Sequence, residues 1–178
     1  MTASTSRDIT IGFLTVFEPS EHLLIGGYLI LNSKGRPVEF HCTAPLKPNR
    51  AQQILYGSTL RPYLCGEQIG QALVRGSKQK PVLVCTDVED VMELREMSPI
   101  SLVLAPTPDE MDESVDVLRS RFVPLALNDE PAWLHPLDRE NQAAIEKLWR
   151  EHFSSLSFAE PFGRIRDAIR EAQRDAAA

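Results

Sequence analysis

The chain has no apolar run approaching the roughly 18 residues that a membrane helix needs, and its opening "MTASTSRD" is polar and short, with no charged-then-apolar leader. A cytoplasmic protein with no membrane partner is therefore expected. Cysteine is scarce: Cys42, Cys65 and Cys85 are widely spaced, odd in number and form no C-x-x-C pair. Each sits in an apolar segment, so reduced, buried thiols are expected in preference to a metal or redox site. Phosphate-cradling glycine loops of the G-x-G-x-x-G or G-x-x-x-x-G-K type are missing. So is the strand-turn-helix serine motif of a Ser-His-Asp hydrolase. No internal repeat or low-complexity tract is visible.

An excess of positive charge is also lacking. With 25 acidic against 19 basic side chains the formal net charge is −6, so the average field repels a polyanion and disfavours nucleic acid as a partner. Charge is uneven, however: Lys34, Arg36, Lys47, Arg50 and Arg61 cluster in the first third, while Asp109 to Asp116 is acidic. A basic cluster of this kind is a solvated face or a binding patch. The 178 residues, 43% of them hydrophobic, suffice for one good-sized core with a helical appendage.

What the chain does contain is a change of pattern. "ITIGFLTVF" (Ile9 to Phe17) and "LLIGGYLIL" (Leu23 to Leu31) read as strands, the second apolar on both faces and thus covered on both sides. After the turn "NSKG", the stretch "RPVEFHCTA" alternates: Val38, Phe40 and Cys42 face one way, Glu39, His41 and Thr43 the other. Three antiparallel strands open the fold. A helix starts at Asn49, with Gln52 placed to complete a capping box. It breaks near "YGSTLRP" and resumes through "YLCGEQIGQALV", where Gly66 and Gly70 stack on one face and allow close approach of another element.

From Pro81 strand and helix alternate, which implies parallel pairing. "PVLVC" is a strand, "TDVEDVMELREM" a short helix capped by Thr86 and Glu89, and "ISLVLA" the next strand. "TPDEMDESVDVLRSRF" repeats the device with Thr107, Pro108 and Glu110. "VPLAL" is a further short strand, "NDEPAWLHPLD" a connector packed on the body, and two amphipathic helices, about Arg139 to Phe153 and Pro161 to Arg174, end the chain. Their apolar stripes are expected to cover the parallel end of the sheet; docking a protein partner is the alternative.

This order, three antiparallel strands and then helix, strand, helix, strand, resembles that of the ribonuclease H-like fold. "PNRAQQI" resembles the Asn-Arg-x-Glu that begins the first helix of ribonuclease H, and "VLVCTDVEDV" its fourth strand ending in Thr-Asp. "FEPS" followed by "GGYLIL" is similar to its first-strand Asp-Gly-Ser and Gly-Gly-Tyr second strand. The resemblance covers about Ile9 to Thr107. It implies a phosphodiester hydrolase in which converging carboxylates hold two Mg²⁺ or Mn²⁺ ions. Carried over by position, Glu18 and Asp87 match the first- and fourth-strand acids, and Gln52 falls where the helix Glu would be. A neutral amide there removes one negative charge that two dications would need. The last acid would be Asp109, Asp112 or Asp116.

Glu67, between two glycines in "CGEQIG", is the other carboxylate placed to replace the missing helix acid; the rim of a buried face is its plainer reading. Glu39 and His41 share a strand face as a carboxylate and an imidazole, with no nucleophile beside them. His22, His135 and His152 have no metal-ligand spacing.

The sequence thus predicts an α/β protein with a mixed, ribonuclease H-like sheet and helices on both faces: a domain over 1–128 and a helical C-terminal extension over 129–178. The first functional expectation is a non-catalytic or strongly modified binding module without cofactor, using Gln52, Arg50 and Lys47 or the C-terminal helices. The second is a metal-dependent nuclease with a rearranged site, in which Glu18, Asp87 and Glu67 are catalytic and Glu18, Asp87 and Asp112 hold Mg²⁺ or Mn²⁺.

Overall fold

The computed structural model describes residues 8–105 and 111–178, with the side chains of 111–114 excluded. Its centre is a seven-stranded mixed sheet in the order β3-β2-β1-β4-β5-β7-β6. The strands are β1 (Thr10–Ser20), β2 (Leu23–Asn32), β3 (Pro37–Cys42), β4 (Val84–Thr86), β5 (Leu102–Leu104), β6 (Val123–Leu127) and β7 (Glu130–Leu134). β1, β2 and β3 pair antiparallel, as the alternating, β-branched stretches predict. β4 joins β1 in parallel and β5 joins β4 in parallel, which requires the two crossovers read from the sequence. The turn between β2 and β3 places Gly35 at φ +74°, a conformation that only glycine adopts without steric cost.

Helices cover both faces. On one side lie α1 (Arg50–Tyr56), α2 (Leu60–Pro62), a π-helical stretch Tyr63–Gly70, α3 (Gln71–Gly76) and the 3-10 helix Glu89–Glu96. This side also carries Leu118 of α4 (Met111–Arg121) in its core, with Leu64, Ile69, Leu73 and Leu94 against Leu14, Val16, Tyr28 and Ile30 of the sheet. On the other side, α5 (Gln142–His152) and α6 (Glu160–Ala177) present Ile145, Trp149, Phe162, Ile165 and Ile169 to Ile11, Phe13, Ile25 and Leu29. No described helix is long and apolar enough to cross a membrane.

Glycines set how near the layers come. Gly66 lies against Glu93 Cβ and the backbone of Asp90 and Leu94, so the close approach expected at "CGEQIG" is met by the 3-10 helix. Adjacent Gly26 and Gly27 point to opposite faces of β2. A Cβ at Gly26 would lie 2.1 Å from Ile69 Cγ2, and one at Gly27 would lie 2.2 Å from Ile165 Cγ2.

Several expectations are corrected. Cys65 and Cys85 are buried, and burial pushes both thiols up, the former to about 12. Cys42 is exposed: it ends the edge strand β3, beside Ile169 and Ala172 of α6. The segment after Thr86 forms a 3-10 helix without a side-chain cap; Thr86 Oγ1 instead accepts from Val88 N–H at 3.2 Å and bends the chain out of β4. Within the expected connector, Glu130–Leu134 is a strand inserted between β5 and β6, antiparallel to both. It and the helices after it place the residues beyond 128 in the same sheet and on its α5/α6 face. α6 covers the antiparallel strands β1 and β2, while α5 sits over β6. The expected cap at Thr107, Pro108 and Glu110 lies outside the described residues.

A buried ion pair ties the second half together. Arg95 grips Asp138 with two bonds, at 2.9 and 3.0 Å, and Ser101 Oγ donates to the same carboxylate at 2.9 Å. Burial alone would raise the carboxyl of Asp138, but Arg95, Ser101 and the N–H of Leu102 outweigh it and hold it below its ordinary value. Its contribution is therefore full above the ordinary carboxylate range and is lost as pH falls through the lowered folded value. Removing Arg95 (Arg95→Met) leaves an uncompensated buried carboxylate and is expected to cost about 3–5 kcal/mol in urea unfolding at pH 7. The penalty should shrink as the pH is lowered below 4. Gly27→Ala should cost about 1–3 kcal/mol by the same measurement, since Ile165 must give way.

Candidate functional site

Parallel pairing of β1 with β4 aligns Leu14 with Thr86, so the next residues, Thr15 in the middle of β1 and Asp87 just past the carboxyl end of β4, lie side by side. Side-chain alternation fixes their direction. Ile11 and Phe13 precede Thr15 on the face that α6 covers, and Leu83 and Cys85 precede Asp87 on the same face. α6 brings Arg166 there: its Nη2 donates to Asp87 Oδ2 and, at 3.2 Å, to Thr15 Oγ1. The Asp87 side chain is 1% exposed and that of Arg166 27%. Asp87 Oδ1 is buried without a hydrogen-bond partner among the described residues. One turn on, the Arg170 guanidinium lies 5.9 Å from the centre of the Phe17 ring and pairs with Asp167.

Among the described residues, Glu18, Glu67 and Asp87 are not brought together. Glu18 lies beyond the regular register of β1 and turns to the helical layer opposite α6, where Arg61 Nη1 donates to it at 2.8 Å. The N–H of His22, first, and then Arg61 hold its carboxyl below the ordinary range. Arg61 also reaches Asp90 at 3.2 Å, so one guanidinium bridges two carboxylates. Glu67 is half-buried in the π-helical stretch, and its charge adds to burial and Glu96 in raising the carboxyl of Glu93. Asp109 and the side chain of Asp112 lie outside the described residues, and Asp116 is exposed on α4. Gln52 Oε1 accepts from Asn49 N–H at 3.0 Å while Asn49 Oδ1 accepts from Gln52 N–H at 2.8 Å, a complete capping box. Lys47 and Arg50 are exposed.

The described carboxylates Glu18, Glu67 and Asp87, as arranged, therefore do not by themselves form a two-cation site. Among the described residues no group of three or more His, Cys, Asp and Glu could hold a metal ion. Asp87 already faces a guanidinium, and a divalent cation added beside it would be repelled at short range in a buried setting. Asp87 Oδ1, without a partner among the described residues, has room for a further donor or cation.

Other constellations resolve into structure. Glu39 accepts from His41 Nε2 at 2.5 Å and from the N–H groups of Lys78 and Gln79 at 2.9 and 2.8 Å, fastening the loop after α3. Burial acts to raise its carboxyl, but these donors prevail and bring it down to about 2. A cleft of about 370 Å³ is lined by Glu89, Asp90, Glu93, Glu96 and His135, an acidic wall that repels phosphate. α1, by contrast, has no buried residue: Ile54 is 65% and Leu55 82% exposed, and Tyr56 stacks on Tyr63 with ring centres 4.4 Å apart.

Thr15 and Arg166 escaped the sequence reading, and Arg61 entered it only as a member of a basic cluster. Thr15 had a signal, being the one polar residue inside the apolar run from Ile11 to Phe17. Arg166 had none, since it belongs to a helix 79 residues from its partner.

Neither a family model nor a curated protein matches the sequence. The chain superposes on a solved single-site variant of Ciona intestinalis endonuclease V with TM-score 0.53 at 14% identity, covering 97% of this chain and 88% of that one. That protein was solved in complex with a 23mer DNA containing an inosine followed by a ribo-adenosine. Human ENDOV gives TM-score 0.47 at 15% identity over 97% of this chain and 87% of that chain. The fold is ribonuclease H-like, of the kind shared with endonuclease V, and the likeness extends through α5 and α6.

The bland reading of Gln52 has a direct check. Gln52→Glu keeps an acceptor for Asn49 N–H, so unfolding should change by less than about 0.5 kcal/mol, and calorimetric titration should show no gain in Mn²⁺ binding. Asn49→Ala should cost about 0.5–2 kcal/mol.

Proposed function

We propose that the chain is a nuclease-type ribonuclease H-like protein whose partner is a nucleic acid, engaged at the carboxyl end of β4 where it runs beside β1. The observation that carries this reading is Asp87 itself: a buried carboxylate with one orphaned oxygen, at the end of β4 in a sheet whose likeness spans 97% of the chain. The likeness to a DNA-bound endonuclease V favours nucleic acid over a protein partner. Arg166, Arg170 and Arg61 stand near this point, each paired with acids, so what they offer a phosphate is uncommitted N–H donors and not an excess of positive charge. The exposed Leu55 and the Tyr56–Tyr63 stack give apolar and aromatic surface of the type on which unpaired bases rest.

Hydrolysis through cations would require Arg166 to leave Asp87, and no catalytic step is assigned to the docked arrangement. A second reading, a binding module without catalysis, is favoured by the Asp87–Arg166 pair and by the occupation of Gln52 in its capping box.

Fluorescence anisotropy with labelled single- and double-stranded DNA and RNA, with and without a central inosine, tests the proposal. Binding is expected, and it should weaken steeply between 50 and 200 mM salt, as phosphate contacts dictate. Cleavage of any of these strands in Mg²⁺ or Mn²⁺, absent in Asp87→Asn, would establish the nuclease; binding without cleavage would establish the module. No binding at low salt to any of the probes would overturn the nucleic-acid reading.

A further inference from the structure

The mismatch between the donor set and a metal site has a positive side. We propose that Arg166 is the resident cation of the Asp87 site, standing where a divalent ion would stand, and that its outward N–H groups form a metal-independent subsite for a phosphate oxygen. This deepens the nucleic-acid reading by naming the residue that meets the backbone, and it rests on that reading only for the identity of the phosphate's carrier.

Three features support it. First, the guanidinium is shared by two strands: a single nitrogen, Nη2, serves both Asp87 Oδ2 and Thr15 Oγ1, bridging the middle of β1 and the end of β4. Second, its other nitrogens are uncommitted. Among the described residues neither Nε nor Nη1 of Arg166 has a hydrogen-bond partner, and the side chain is part-exposed, so donors remain for an incoming acceptor. A guanidinium anchored through one nitrogen is held in place to offer the rest of its fork to a phosphate. Third, α6 is seated to hold the group still. Ile165 and Ile169, on either side of Arg166 in sequence, fill the space left by Gly27, and Phe162 meets Phe13 edge-on at 5.5 Å.

Electrostatics makes the arginine and a divalent ion mutually exclusive at this carboxylate. One unit of negative charge on Asp87 balances one guanidinium; adding a dication would leave two positive charges in excess within a few ångströms. The arginine cannot escape by deprotonation. The Asp87 pair neutralises the buried acid that would otherwise repel phosphate, and Arg170 a turn away is likewise balanced by Asp167, so the free N–H donors of Arg166 are what the site offers an acceptor.

The test uses inorganic phosphate as probe, on the full chain freed of metal with EDTA, read by calorimetric titration and by thermal unfolding against chloride at matched ionic strength. Phosphate should bind and raise the melting temperature of the unaltered protein. Arg166→Gln should lose about tenfold in affinity, the equivalent of one charge-assisted hydrogen bond. Should Arg166→Gln fail to fold, Arg166→Lys keeps the charge opposite Asp87 and removes the outward fork; a similar loss is expected in a folded protein. Mn²⁺ alone should give no shift in melting temperature that depends on Asp87. Phosphate affinity unchanged in the folded lysine variant would overturn the proposal. So would a Mn²⁺-induced rise in melting temperature that Asp87→Asn abolishes, which would show that a divalent ion displaces Arg166. Because the probe is phosphate alone, failure here removes Arg166 as the ligand and leaves the nucleic-acid reading to its own binding assay.

Discussion

Two adjacent glycines decide how this molecule is layered. Gly26 and Gly27 occupy successive positions of β2, so their missing side chains open space on opposite faces of one strand. Ile69 and Leu73 enter from the π-helical side, Ile165 and Ile169 from α6. With any larger residue at Gly27, α6 would stand off the sheet, and Arg166 would not reach the middle of β1 and the end of β4. The Asp87–Arg166 contact is thus a consequence of backbone approach, as much as of charge.

Around that contact the acids of the face are each engaged. Arg166 meets Asp87 on one side of the sheet; Arg61 bridges Glu18 and Asp90 on the other. Alternation along β1 separates the two groups, because Thr15 faces α6 whereas Glu18, past the end of the regular register, turns to the opposite layer. A carboxylate on each face does not add up to a chelating cluster. The same sheet ends that would gather acids around cations here present arginines, and arginine forks are suited to holding phosphate in place.

The opening of the fold was legible because its signals are local. β-branched alternation marked β1 to β3, Gly35 marked their turn, and Asn49 with Gln52 spelled out a capping box that forms as written. The parallel step to β4 and β5 followed from the spacing of short apolar runs. β7 was hidden by Pro131, a residue that argues against an interior strand. It is tolerated because β5 pairs only with Trp133 and Leu134, so the missing N–H falls where no partner is needed. Of the candidate site, Asp87 was legible from "VLVCTD", and its partner was not. Pairing across 79 residues depends on how α6 packs, and a row of arginines on an amphipathic helix looks the same whether it meets solvent or a carboxylate.

The central claim is that Asp87 and Arg166 form one unit, and a double-mutant cycle addresses it most directly. Asp87→Asn, Arg166→Met and the pair together would be compared with the unaltered protein by urea unfolding at low and high salt. The account predicts a coupling energy of about 1–3 kcal/mol that survives high salt, as befits a buried contact. Additivity within about 0.5 kcal/mol would contradict it and return Asp87 to the role of a carboxylate awaiting a cation.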